Sequence, residues 1–555
     1  MPRVTRVPPD TFHVYDTTLR DGAQREGLSL SVNDKLSIAR HLDDLGVGFI
    51  EGGWPGANPK DAEFFRRARS ELSLTSAQLA AFGATRRAGG NTAEDLAHLR
   101  ESGAGIVTLV AKADVRHVER ALRTTREENL AMIRDSVAHL RNEGQRVFLD
   151  AEHFFDGYLA EPAYALEVLN VAAEAGADVL VLCDTNGGML PYRLADIVGA
   201  VVGTGLRVGI HAHNDTACAV ANSLAAVDAG ATHVQGTANG YGERCGNADL
   251  FSVVAALEVK IGRKVLPPGR LAELGRVAHA VAGVANIAPD PHQPWVGTSA
   301  FAHKAGLHVS AIKADPDLYQ HVDPAVTGND MRLLVSELAG RATIELKGQA
   351  LGLEPDKETV LRVIERVKEL ESVGYSFEAA EASFELLLRE EMGQRPQFFR
   401  LESWRVIVES RRVGGAPAGD SAGGAPAGDS VGGAPAGDSR EVVSEATVKL
   451  HAKGERIVTT GEGNGPVNAL DNALRAALQA LYPGLARLEL VDYKVRIVSG
   501  EHGTDAVTRV LVETSDGVTE WDTVGVHENV IQASWQALEE AYTTGLLRQG
   551  LDSAR

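Results

Sequence analysis

Along the first 260 residues, short apolar runs alternate with longer stretches whose apolar residues recur every three or four positions. The short runs, at 12–16, 48–52, 78–83, 106–111, 147–152, 179–184, 208–213 and 233–236, predict eight β-strands. The stretches 32–45, 91–101, 125–142, 162–175, 191–202 and 217–229 predict helices, several closed by a glycine placed as a C-terminal stop: Gly46, Gly103, Gly144, Gly176 and Gly230. Alternation of this kind implies parallel pairing through right-handed crossovers. Eight repeats in about 250 residues fit a (β/α)₈ TIM barrel over 1–275, with a doubly wound open sheet as the runner-up.

Downstream the pattern changes. Residues 276–400 carry helical periodicity, at 357–372 and 377–392 among others, and read as a helical linker subdomain. The octapeptide GGAPAGDS then occurs at 414–421, 423–430 and 432–439. With no aromatic and little apolar beyond alanine, the stretch 412–440 cannot bury a core and reads as a disordered linker. From 441 to 545, strands at 447–450, 455–460, 488–497 and 506–513 alternate with helices starting near Pro466 and Glu528. Strands followed by a helix, twice over, indicate a small α+β module.

A barrel also predicts where polar residues belong, because functional groups gather at the C-terminal ends of its strands. Strand one ends in Asp16 and leads to Arg20 and Asp21, strand two ends in Glu51, and strand five ends in Glu152. Strand six runs into Asp184 and Thr185, strand seven into His211, His213 and Asp215, and strand eight into a glycine-rich loop from Gly240 to Asn247. His211 and His213 lie two apart, so both imidazoles face one side of their strand. Two imidazoles, a carboxylate and an amide oxygen make a mixed N/O set suited to a divalent cation such as Mg²⁺, Mn²⁺ or Zn²⁺. A His-x-His pair alone is more often packing than a ligand set; the Arg20–Asp21 segment and the glycine loop reverse that balance.

The composition, 44% hydrophobic and 23% charged, is that of a soluble globular protein, and 555 residues require two or three domains. A formal net charge of −20 argues against a nucleic-acid or anionic-membrane partner. No apolar run approaches the ~20 residues of a membrane span, and the first ten residues lack a signal-peptide core, so a cytoplasmic location is expected. Cys183, Cys218 and Cys245 are too few and scattered for a disulfide framework or a structural zinc site. Cys245, two residues from Asn247, reads as a small buried residue.

The segments DTTLRDG (16–22), HAHND (211–215) and GYGERCGNA (240–248), in this order on eight strands, resemble the acyl-CoA-dependent Claisen-condensing synthases related to 2-isopropylmalate, homocitrate and citramalate synthase. EGGWPGANPKD (51–61), FAHKAGLHVSAI (301–312) and NDMRLLVSELAGRATI (329–344) are similar to the long bacterial citramalate-forming group. The resemblance implies Asp21, His211 and His213 as metal ligands, with Asn247 completing the set. It implies Arg20 on the 2-oxo acid carbonyl, Thr185 and Glu152 lining the oxo-acid pocket, and His308, on a loop, with Tyr319 reaching the active site from the following subdomain. Asp16 reads as a structural support for its turn.

The activity so implied is condensation of acetyl-CoA with pyruvate and water to give (R)-citramalate and CoA, opening a threonine-independent route to isoleucine. It carries with it a homodimer and a C-terminal regulatory domain that binds isoleucine. The alternatives are 2-isopropylmalate or homocitrate formation from a larger 2-oxo acid and, from another class, a metal-dependent aldolase or lyase. A methylene or two in a pocket is worth only ~1–3 kcal/mol, so the sequence leaves the preferred 2-oxo acid open. The chemistry needs a base for a thioester methyl proton and an electrophilic ketone. His308 suits the proton transfer because its ordinary pKa is ~6.5, with Glu152 or a water-linked Tyr319 able to share it.

Overall fold

A computed structural model describes residues 11–412, 440–498 and 506–551. Eight strands pair in chain order and close on themselves: β1 (His13–Asp16), β2 (Phe49–Gly53), β3 (Gln78–Ala84), β4 (Ile106–Lys112), β5 (Arg146–Glu152), β6 (Val179–Asp184), β7 (Val208–Ala212) and β8 (His233–Gly236). All are parallel, and the closing pair β1–β8 runs in register from His13 opposite His233 to Asp16 opposite Gly236. Closure excludes the open sheet. The strands read as near-continuous apolar runs because helices cover their outer face and side chains fill the inside. The helices Val32–Leu45 and Pro191–Val202 form where periodicity put them. At the end of the first, Gly46 takes φ 99°, a left-handed conformation that side-chain-bearing residues resist. The stretch 91–101 departs from expectation, breaking into Thr92–Asp95 and Ala97–Glu101.

The described chain forms two compact units. The first holds the barrel, residues up to Ala302 and Gln320–Arg332; its helix Leu274–Ala285 buries Leu274, Val277 and Val281 in the barrel's core. The second holds His303–Tyr319 and everything from Leu333 onward. There the helices Arg341–Ala350, Lys357–Ser372 and Glu381–Glu391 pack around Ile344, Val363, Phe384 and Leu388. Next come β9 (Phe399–Arg412), β10 (Arg440–Ala452) and β11 (Glu455–Gly463), an antiparallel sheet followed by the helix Pro466–Gln479. Strands β12 (Glu489–Ile497), β13 (Thr508–Ser515) and β14 (Glu520–His527) then precede the helix Val530–Arg548, so three strands and a helix occur twice.

Strands β9 and β14 were not singled out from the sequence. In FRLESWRVIVESRR the apolar alternation is interrupted by charges on an exposed face, and β14 is eight residues with three polar groups among its first four. The GGAPAGDS repeats and their expected disorder lie outside the described residues. Among the described residues, no helix is long and apolar enough to cross a membrane.

Candidate active site

The strand ends converge as a barrel requires. Thr17 N–H donates to the Gly236 carbonyl (2.8 Å), pinning the exit of β1 to β8, and a tight turn returns Asp21 N–H to the Thr17 carbonyl (2.9 Å). Asp16, buried, supports that turn by accepting from the backbone N–H and hydroxyl of Thr18, both at 2.8 Å. The loop after β8 folds back on β7, where Ala248 N–H donates to the Ala212 carbonyl and Asn214 N–H to the Gly246 carbonyl, both at 2.9 Å. Asn247 is thereby bridged to His213.

As a result Asp21, His211, His213 and Asn247, from three places in the sequence, meet at one buried point, each 6% exposed or less. Asp21 Oδ2 lies 3.1 Å from His211 Nε2 and 3.8 Å from His213 Nε2. The two Nε2 atoms are 3.2 Å apart. Adjacent donors around a small divalent cation with ligand distances near 2.1 Å sit about 3 Å apart, so this spacing suits one. The Asn247 amide lies 2.8 Å from Asp21 and 3.2 Å from His211 Nε2, and its Oδ1 is buried without a hydrogen-bond partner. Turning that amide brings Oδ1 to the same point, completing an N₂O₂ set. Gly242 makes the approach possible, since a Cβ there would stand 1.9 Å from Asn247 Oδ1.

Charge at this point is divided by environment. Burial works against ionised Asp21, but Arg20 and the two imidazoles hold its carboxyl well below the usual carboxylate range. Burial also opposes a charged His211, yet the Asp21 hydrogen bond raises it above its ordinary value, whereas burial and the His211 charge push His213 down to about 4.

Arg20 is fixed on three sides. Its Nε donates to Glu51 Oε2 at 2.6 Å, Nη1 lies 3.3 Å from Asp21 Oδ1, and the guanidinium sits 3.9 Å over the Phe82 ring. Glu51 is held in turn by the Tyr15 hydroxyl at 2.8 Å. These groups open on a cavity of about 640 Å³ at the C-terminal ends of the strands, lined also by Trp54, Asp150, Glu152, Cys183 and Thr185. Glu152 pairs there with Lys112, and Thr185 Oγ1 accepts from His153 N–H at 2.9 Å.

His308 and Tyr319 belong to the second unit, where their rings stack 4.2 Å apart and Tyr319 is exposed. His308 lies on the helix Gly306–Ala314, not on a loop. Cys245, expected to be buried, is exposed, next to exposed Glu243 and Arg244 in the 240–247 loop. Cys183 is the buried thiol, and burial pushes its pKa well up, leaving it inert. Sequence reasoning missed Tyr15, Asp150 and Gln235, whose side chains point into the barrel. For Asp150 the signal was present, since it lies two residues before Glu152 on β5.

Residues 11–281 match the HMGL-like family, 295–374 the homocitrate synthase post-HMGL domain-like family, and 436–546 the LeuA allosteric (dimerisation) domain. The chain is 64% identical to the (R)-citramalate synthase of Streptomyces coelicolor over 98% of each chain. It is 47% identical to that of a Synechocystis species over 96% of each. A probable 2-isopropylmalate synthase of Methanopyrus kandleri is 33% identical over 95% of this chain and 97% of its own. Since identity this high extends over nearly the whole chain, the chain belongs to the (R)-citramalate synthase family.

Proposed function

We propose that the chain condenses acetyl-CoA with pyruvate and water to give (R)-citramalate and free CoA. The observation that carries this reading is the meeting of Asp21, His211, His213 and Asn247 beside Arg20 at one cavity, and the 64% identity to a citramalate synthase supports the choice of substrate. In this reading those four residues hold a divalent cation, Mg²⁺, Mn²⁺ or Zn²⁺. The chemistry such an ion supplies is withdrawal of electron density from the keto carbonyl and stabilisation of the developing alkoxide.

Arg20 donates to the same keto oxygen, and its planar fork, already fixed by Glu51 and Phe82, loses little freedom in doing so. Thr185 lines the oxo-acid pocket. The acetyl thioester must lose a methyl proton before its carbon attacks the ketone; His308 suits that transfer by its imidazole chemistry, with Glu152 or a water-linked Tyr319 able to share it. Water then attacks the thioester carbonyl of the citramalyl-CoA formed, breaking the C–S bond, releasing CoA and making the sequence irreversible. The C-terminal domain would hold two chains together as a homodimer and bind isoleucine as a feedback inhibitor.

The test is release of free thiol from acetyl-CoA with pyruvate, 2-oxobutyrate, 2-oxoisovalerate and 2-oxoglutarate in turn. Turnover should be fastest on pyruvate, vanish with a chelator, return with a divalent ion and fall when isoleucine is added. Fastest turnover on 2-oxoisovalerate would replace this reading with 2-isopropylmalate formation.

A further inference from the structure

Two buried polar side chains inside the barrel have no part in the chemistry above: Gln235 on β8, fully buried, and Asp150 on β5, 3% exposed. They stand in line behind His211. His211 Nδ1 is 2.8 Å from Gln235 Oε1, and Gln235 Nε2 donates to Asp150 Oδ1 at 2.9 Å.

We propose that Gln235, itself oriented by Asp150, is a positioning residue that fixes His211 as its Nδ1–H tautomer and so aims the Nε2 lone pair at Asp21, His213 and Asn247. The donor and acceptor inventory leads to this result. Burial raises the Asp150 carboxyl to about 7 against the pull of His211 and Arg20; as the carboxylate it only accepts, so it takes the NH₂ end of the amide at 2.9 Å, and the oxygen end is left to the imidazole. An acceptor facing Nδ1 places the proton there, and a neutral imidazole carries one proton, so Nε2 is bare. Without Asp150 the amide is free to turn and offer N–H to Nδ1. The imidazole proton then moves to Nε2, where it blocks ligation. Outer partners of this kind orient ligating histidines generally. The inference rests on the metal reading of His211.

The test is Mn²⁺ affinity of the full-length, substrate-free protein, by isothermal titration or by the electron paramagnetic resonance signal of free Mn²⁺, with thermal melts as a check on folding. His211→Ala should abolish binding. Gln235→Met should weaken it by about 10- to 100-fold, Asp150→Leu should also weaken it, and the double variant Asp150→Leu/Gln235→Met should be no weaker than Gln235→Met. Asp150→Leu/Gln235→Glu restores an acceptor against Nδ1–H and should recover most of the affinity lost by Asp150→Leu; a purely structural role predicts no such rescue.

Gln235→Met binding within twofold of the parent, losses that multiply in the double variant, or failure of the rescue would each overturn the relay while His211→Ala left the metal reading standing. Unaltered binding by His211→Ala would remove both. If Gln235→Met does not fold, the comparison of Asp150→Leu with Asp150→Leu/Gln235→Glu decides alone.

Discussion

Replacing Glu51 by Gln preserves the side chain's shape and removes the charge that holds Arg20. Glu51 is fully buried, accepting from Arg20 Nε at 2.6 Å and from the Tyr15 hydroxyl at 2.8 Å. A glutamine can satisfy the same neighbours. Its oxygen accepts from Arg20, its NH₂ donates to the Tyr15 oxygen, and Tyr15 turns its own proton to Thr108 Oγ1, 2.6 Å away. What is lost is therefore the carboxylate's charge and not the bond, since Arg20 stays cationic and keeps a charge-assisted bond to the amide oxygen. Residues within one salt-bridge network couple by about 0.5–3 kcal/mol, and with Asp21 still facing Arg20 a loss of about 1–2 kcal/mol is expected. At 1.36 kcal/mol per tenfold, kcat/KM for pyruvate should fall about 5- to 30-fold. Arg20 keeps its contacts with Asp21 and Phe82, so the loss stops short of inactivation. Initial rates of thiol release at varied pyruvate measure it; the KM for acetyl-CoA should hold within about twofold. Glu51→Gln at parental kcat/KM, or a loss mirrored by a large drop in Tm, would refute the claim that Glu51 works by fixing Arg20.

Three further outcomes are expected. Because Asp21 outweighs burial and raises His211 above its ordinary value, the cation must displace a proton from His211. Mn²⁺ affinity should therefore weaken about tenfold per unit as pH falls below that raised value and level off above it, and a flat titration from pH 5.5 to 7.5 would contradict this. Gly242→Ala sets a Cβ 1.9 Å from Asn247 Oδ1, so it should displace that amide and weaken Mn²⁺ binding at least tenfold, with unchanged affinity counting against Asn247 as a ligand. Lys35, 3% exposed, pairs with Asp61 and donates to the Gly52 carbonyl, while Asp61 accepts from Trp54 N–H at 2.9 Å. Lys35→Met leaves a buried carboxylate with half its support and should cost about 3–5 kcal/mol in chemical unfolding; a loss below about 1 kcal/mol would show that the pair contributes little.

The sequence by itself determined the barrel's elements. Strands buried on both faces must be short and apolar, helices covering them must be amphipathic, and glycine marks where each helix turns back, so all eight strands lie within one residue of the positions that periodicity indicates. The spacing of His211 and His213 was likewise legible, because two residues along a strand return to the same side. Closure was decided only in three dimensions. Asp21 and Asn247 are 226 positions apart, and what brings them to 2.8 Å is the pairing of the first strand with the last. The same holds for Tyr15 and Gln235. A lone polar residue in an apolar run carries no sign of whether it points inward until strand register and barrel closure fix that direction, and both point into the barrel, where each must find a partner.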